Sequence, residues 1–146
     1  MSSGNERDFV EALIRRNRYL VLSNTNGKDP WAAPLEYMAD DKLNLYFFST
    51  VDSRHACDIE MNEKVAVAIF DSDQPEYSAD LSASLNGVQI EATARKVPEN
   101  EYSEAIIAAI EALKPPMPPY AVYQLRPRTF YLPKITKGVN VRTEVK

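Results

Sequence analysis

The sequence predicts a mainly β fold, a closed or partly closed antiparallel barrel with Greek-key connections and short helices. Three observations lead there. Six segments of the 146-residue chain carry strand periodicity or strand composition. Tight turn signals join the first three of them, and longer crossovers join the others. The one strand–helix–strand passage that would suit a parallel unit, around Ser53, has a helix too short for a comfortable crossover.

Ser3 with Glu6 fits a capping box, and Phe9, Val10, Leu13 and Ile14 share one face, so a helix is expected over about 6–17. Tyr19 to Thr25 reads as a strand that Asn26-Gly27 turns. Trp31 to Met38 is the second strand; Pro34 inside it points to an edge, a bulge or a place without ladder pairing. A turn at Ala39–Lys42 leads to a third strand over Leu43–Ser49, then a helix over Ser53–Met61. Lys64 to Phe70 is an apolar run expected to be buried on both sides, and Asp71 to Ser84 a polar loop. Val88, Ile90, Ala92 and Ala94 alternate with polar residues as a half-buried strand. Pro98-Glu99-Asn100 opens a helix with a stripe of Tyr102, Ala105, Ile106, Ala109, Ile110 and Leu113. Pro115 to Pro119 ends it as an extended linker or a lid. The last strand, Ala121–Leu125 and Thr129–Leu132, is interrupted near Pro127, and the tail after Lys137 reads as weakly structured.

The length suits a single domain over 1–146 with a core of its own. A net charge of −4, from 17 Lys+Arg against 21 Asp+Glu, argues against nucleic acid or an anionic membrane as partner. One cysteine, no membrane-length apolar run and no signal-peptide pattern suggest a cytoplasmic protein. With one histidine and one cysteine, no metal site is expected. Four glycines leave no P-loop or dinucleotide fingerprint. Cys57 reads as a small buried side chain without a base to activate it, and carboxylate pairs such as Asp40-Asp41 as solvated turns.

The most informative stretch is Ser49-Thr50-Val51-Asp52-Ser53-Arg54-His55, between the aromatic strand Leu45-Tyr46-Phe47-Phe48 and the short helix. Hydroxyls, a guanidinium and an imidazole gather where backbone N–H groups and the positive helix end face outward. That is a seat for a phosphate. Cations at a helix start are slightly unfavourable without an anion, so the bland alternative is a set of solvated cap and turn residues.

From Tyr19 to Val97 the chain resembles the pyridoxamine 5′-phosphate oxidase-like family of FMN-binding split barrels. The resemblance is carried by Tyr19-Leu20-Val21-Leu22-Ser23 with Asn26-Gly27, by Pro30-Trp31-Ala32-Ala33-Pro34-Leu35 and by Leu45-Tyr46-Phe47-Phe48-Ser49. It continues in Ser53-Arg54-His55, in Ile59-Glu60-Met61-Asn62 with Val65–Phe70, and in Gly87–Ala92. It implies a homodimer of six-stranded split β-barrels with FMN at the subunit interface. Arg54 and His55, with Ser53, would hold the FMN phosphate. Phe48 and Ser49 would touch the cofactor, and the backbone of Ala33, Pro34, Leu35, Glu36 and Tyr37 would run beside the ring. Trp31, Tyr37, Phe47 and Phe48 are candidates to wall it, although strand aromatics are more often core.

The chain departs from the oxidase itself. Ala33 and Met38 stand where that enzyme has basic residues, Gly87 where it has glutamine, and Leu125-Arg126-Pro127-Arg128 is a poor match to its C-terminal substrate motif. The resemblance therefore implies an FMN-dependent oxidoreductase acting on an unidentified small-molecule substrate, with no catalytic residue assigned. The alternatives are a flavin-binding protein without turnover, or a relative using deazaflavin, heme or no cofactor.

Overall fold

A computed structural model describes residues 3–76 and 83–146. In chain order the elements are α1 (Ser3–Arg16), β1 (Tyr19–Thr25), β2 (Pro30–Glu36), β3 (Met38–Ala39), β4 (Leu45–Thr50) and α2 (Arg54–Met61). They continue as β5 (Lys64–Phe70), β6 (Ala83–Ser84), β7 (Gly87–Lys96), α3 (Glu104–Leu113), β8 (Tyr120–Thr136) and β9 (Val139–Val145). All strands join one antiparallel sheet of nine strands in the order β2-β1-β5-β7-β8-β4-β3, with β6 and β9 also on β8. The sheet curls around its core as an open, split barrel. The connections have Greek-key character: the chain leaves the β1–β2 hairpin, builds β3–β4 at the far end, and returns through α2 to place β5 beside β1.

The six expected strands are present, and three short or late ones join them. Met38 leaves the second strand to form β3 with Ala39, paired with Tyr46 and Leu45 of β4 instead of with β1. Ala83 and Ser84, expected in a loop, pair with Lys134 and Ile135; residues 77–82 of that loop lie outside the described residues. The tail forms β9, folded back on β8 by a turn with both Lys137 (φ 51°) and Gly138 (φ 77°) left-handed. Pro127 does not break β8. It falls between the stretch paired with β4, which ends at Leu125, and the stretch paired with β9, which begins at Phe130, so no neighbour on that side needs its N–H. On the other side the register jumps from Glu91↔Thr129 to Ala92↔Pro127, and Arg128 is the extra residue of a bulge.

Burial corrects three further expectations. β5 is buried on one face only: Val65, Val67 and Ile69 face the core while Lys64, Ala66 and Phe70 are exposed. The helix after Pro98 is broken into a 3-10 turn (Glu99–Glu101) and α3, whose Ser103 caps by accepting from the Ile106 N–H. Of its stripe only Ile106 is fully buried. The Pro-rich stretch is not extended; it turns at 117–119, with the Tyr120 N–H bonded to the Pro116 carbonyl. α1 buries Val10, Leu13 and Ile14 as expected, but its capping box rests on Ser3, whose side chain lies outside the described residues.

Two packed clusters result, and strand alternation separates them. Leu45 and Phe47 of β4 point into the barrel with Leu20, Leu22, Val67, Ile90, Tyr123 and Leu125, and α2 closes one end with Ala56 and Ile59. Tyr46 of β4 and Val122 of β8 point the other way, under Ile106 of α3 and Val97. No helix of the described residues is long and apolar enough to cross a membrane.

Candidate cofactor site

The end of β4 and the start of α2 form a corner. Alternation turns Ser49 inward after Phe47, where it is buried. The chain then turns, with the Ser53 N–H on the Thr50 carbonyl, and Ser53 caps α2 by accepting from the Ala56 N–H at 3.2 Å. The Ser49 hydroxyl lies 2.9 Å from the Ser53 hydroxyl and 2.8 Å from His55 Nε2, and Ser53 lies 3.2 Å from the same ring nitrogen. His55 is half-buried against Phe47, with ring centroids 5.8 Å apart. Burial pushes its pKa below the usual imidazole value, partly offset by the nearby Asp58 carboxylate.

Arg54 does the opposite. Its side chain is exposed, and its guanidinium lies over the Trp31 ring of β2, 4.1 Å from the centroid. Among the described residues it has no carboxylate partner. The two basic residues therefore divide: Arg54 faces solvent, while His55 turns inward and ties the two serines together.

The second-strand residues fall on two sides of the sheet. β2 is an edge strand, which is why Pro34 is tolerated: it is exposed and pairs with Val21 on one side only. Ala33 is buried and Leu35 packs on the main core. Glu36, Tyr37 and Phe48 come together in a cleft of about 510 Å³ with Met38, Tyr46 and the Leu113 end of α3. The Tyr37 hydroxyl donates to the Ile14 carbonyl, and burial raises its pKa to about 12. Phe48 and Ser49, consecutive in sequence, thus serve opposite faces of β4: Phe48 packs beside the α3 cluster and Ser49 belongs to the corner.

Two buried polar residues at the corner were missed by the sequence reading. Asn24 donates from Nδ2 to the His55 carbonyl at 3.0 Å, and Asp58 is buried on the inner side of α2. Asn24 was legible, since it continues the inward positions Leu20 and Leu22 of β1. Cys57, expected to be buried, is exposed; the helix turns Ala56, Asp58 and Ile59 inward instead. Asp40, expected as a solvated turn residue, accepts from the Lys42 and Asn44 N–H groups and from the Tyr46 hydroxyl. No group of metal-binding side chains occurs among the described residues.

A family model described as pyridoxamine 5′-phosphate oxidase matches residues 7–133. The chain belongs to that family. No curated protein matches it. Among solved structures it is similar to a presumed pyridoxamine 5′-phosphate oxidase of Listeria innocua, with 20% identity and a TM-score of 0.67 over 87% of this chain and 97% of that one. It is also similar to General Stress Protein 26 of Bacillus anthracis, with 20% identity and a TM-score of 0.62 over 95% and 99% of the two chains. A third similarity is to a heme binding protein of Mycobacterium smegmatis, with 15% identity and a TM-score of 0.66 over 99% of this chain and 57% of that one. At these identities the structures establish the shared fold.

The corner's donors suit the phosphate end of a nucleotide cofactor. A guanidinium without a carboxylate partner, hydroxyls and the N–H groups at the start of an eight-residue helix are the groups that hold phosphate elsewhere. The open edge of β2 leaves backbone groups free for a ligand beside it.

Proposed function

We propose that the chain is an FMN-binding flavoprotein that works as an oxidoreductase on a small-molecule substrate, with the cofactor at the interface of a homodimer. Arg54 would hold the phosphate together with the hydroxyls of Ser49 and Ser53, and His55 would keep those hydroxyls in place. The ring would lie along the open edge of β2, beside the backbone of Ala33, Pro34, Leu35, Glu36 and Tyr37, with Phe48 near it. FMN would supply the electron transfer, and the protein the binding, orientation and electrostatics. The observation that carries this reading is the start of α2, where the exposed Arg54, without a carboxylate partner among the described residues, directly follows Ser53 of a hydroxyl cluster. Family membership supports it, as does a similar structure named as a FAD-binding protein of Mesorhizobium loti, while one named as an F420 reductase bears on the deazaflavin alternative instead.

The heme binding relative raises a second reading, but the side chains here favour it less. The chain has a single histidine, and its Nε2 is engaged by two serine hydroxyls.

The test is the visible spectrum of the purified protein before and after addition of FMN, followed by anaerobic addition of NADH or NADPH. Flavin absorbance that bleaches with the reductant and returns in air is the expected result. Bound flavin that no reductant bleaches would leave a binding protein without turnover. Protein that stays colourless in excess FMN would reject the assignment.

A further inference from the structure

We propose that Trp31 is a positioning residue for anion binding: its indole holds the Arg54 guanidinium ready at the start of α2. The proposal rests on the phosphate reading of that corner. It adds a residue on another strand that acts only through Arg54.

Packing does not account for Trp31. It is the chain's one tryptophan, it is 41% exposed, and it belongs to neither packed cluster. Its aromatic face instead carries Arg54, at 4.1 Å from the ring centroid. A guanidinium held over an indole face loses much of its rotamer freedom before the ligand arrives, and the ring, which accepts no conventional hydrogen bond, leaves its N–H donors for an anion.

A second contact ties the same two places together. Trp31 pairs across the hairpin with Asn24, and Asn24 donates to the carbonyl of His55, the residue after Arg54. The β1–β2 hairpin thus fixes the backbone of the helix start through Asn24 and the head of Arg54 through Trp31. A large aliphatic side chain at 31 would fill space but would not hold the cation.

The test is a double-mutant cycle read by titration with FMN and, separately, with inorganic pyrophosphate. Trp31→Leu is expected to weaken binding about fivefold when Arg54 is present and by less than about twofold in the Arg54→Ala background. Trp31→Phe should recover most of the loss, because it keeps an aromatic face. A structural role would cost the same in both backgrounds, so equal losses, or no loss with Arg54 present, overturn the proposal. FMN binding without that coupling leaves the flavin reading standing and removes this one. Coupled pyrophosphate binding without FMN binding does the reverse. Binding of neither anion removes both.

Discussion

His55 Nε2 lies 2.8 Å from the Ser49 hydroxyl, which fastens the first turn of α2 to the last inward residue of β4. The ring is half-buried, and burial lowers its pKa below the ordinary 6.5. The sign of the linkage follows. In the folded protein the imidazole resists protonation, whereas in the unfolded chain it takes a proton near pH 6.5. The stability His55 lends is therefore complete above pH 6.5 and declines as pH falls from there toward the lower folded value. Thermal midpoints measured between pH 8 and pH 5 should fall on the acid side, and His55→Gln should flatten that limb. An identical acid limb in the variant would show that another group is responsible.

Asn24 is buried, and its side-chain N–H is the bond that docks α2 on β1. Asn24→Ala leaves the His55 carbonyl without that donor and opens a small void. A loss of about 0.5–1.5 kcal/mol is expected, the net worth of one hydrogen bond. Urea unfolding at neutral pH measures it. A change below about 0.5 kcal/mol would mean that water replaces the amide.

Lys114 ends α3 with φ 48° and ψ 49°, and its N–H bonds to the Ile110 carbonyl. This left-handed capping conformation costs a β-carbon-bearing residue about 1 kcal/mol, which glycine avoids at some cost in unfolded-chain entropy. Lys114→Gly should stabilise the protein by about 0.5 kcal/mol. A clear loss of stability would show that the lysine side chain contributes something the backbone geometry does not reveal.

The parts of the fold that were legible are those where one local pattern decides. Leu20 and Leu22 alternate cleanly and Asn26-Gly27 follows, so β1 falls where the sequence places it. Pro34 pointed to an edge, a bulge or a gap in the ladder, and of these β2 is an edge. What failed depended on neighbours. Whether Ala66 and Phe70 of β5 are covered depends on what lies over the sheet, which strand composition does not say. Pro127 looked like a break because the gap between the β4 and β9 pairings is a property of two distant strands. The tail was a different kind of miss: Lys137-Gly138 followed by the alternating Val139 and Val141 is a hairpin signal, and β9 follows it. At the site, the residues Ser49, Ser53, Arg54 and His55 could be read in order along the chain. Their division of labour could not, because the inward turn of His55 depends on burial against Phe47 and the outward turn of Arg54 on Trp31 from another strand.

Arg54 offers the most direct test of the proposed cofactor site. It is exposed, has no carboxylate partner among the described residues, and touches Trp31, so its removal costs the fold little. Arg54→Ala should leave the thermal midpoint of the cofactor-free protein within a degree or two while weakening FMN by at least ~1.5–3 kcal/mol, the range of a hydrogen bond to a charged group. That is a factor of roughly 10 to 150 in dissociation constant. Arg54→Lys should recover only part of it, because an ammonium keeps the charge but not the planar fork. Raising the salt concentration should weaken the wild type more than the alanine variant, since only the wild type presents that cation to the phosphate. An Arg54→Ala protein that folds normally and binds FMN as tightly as the wild type would place the phosphate somewhere else on the molecule.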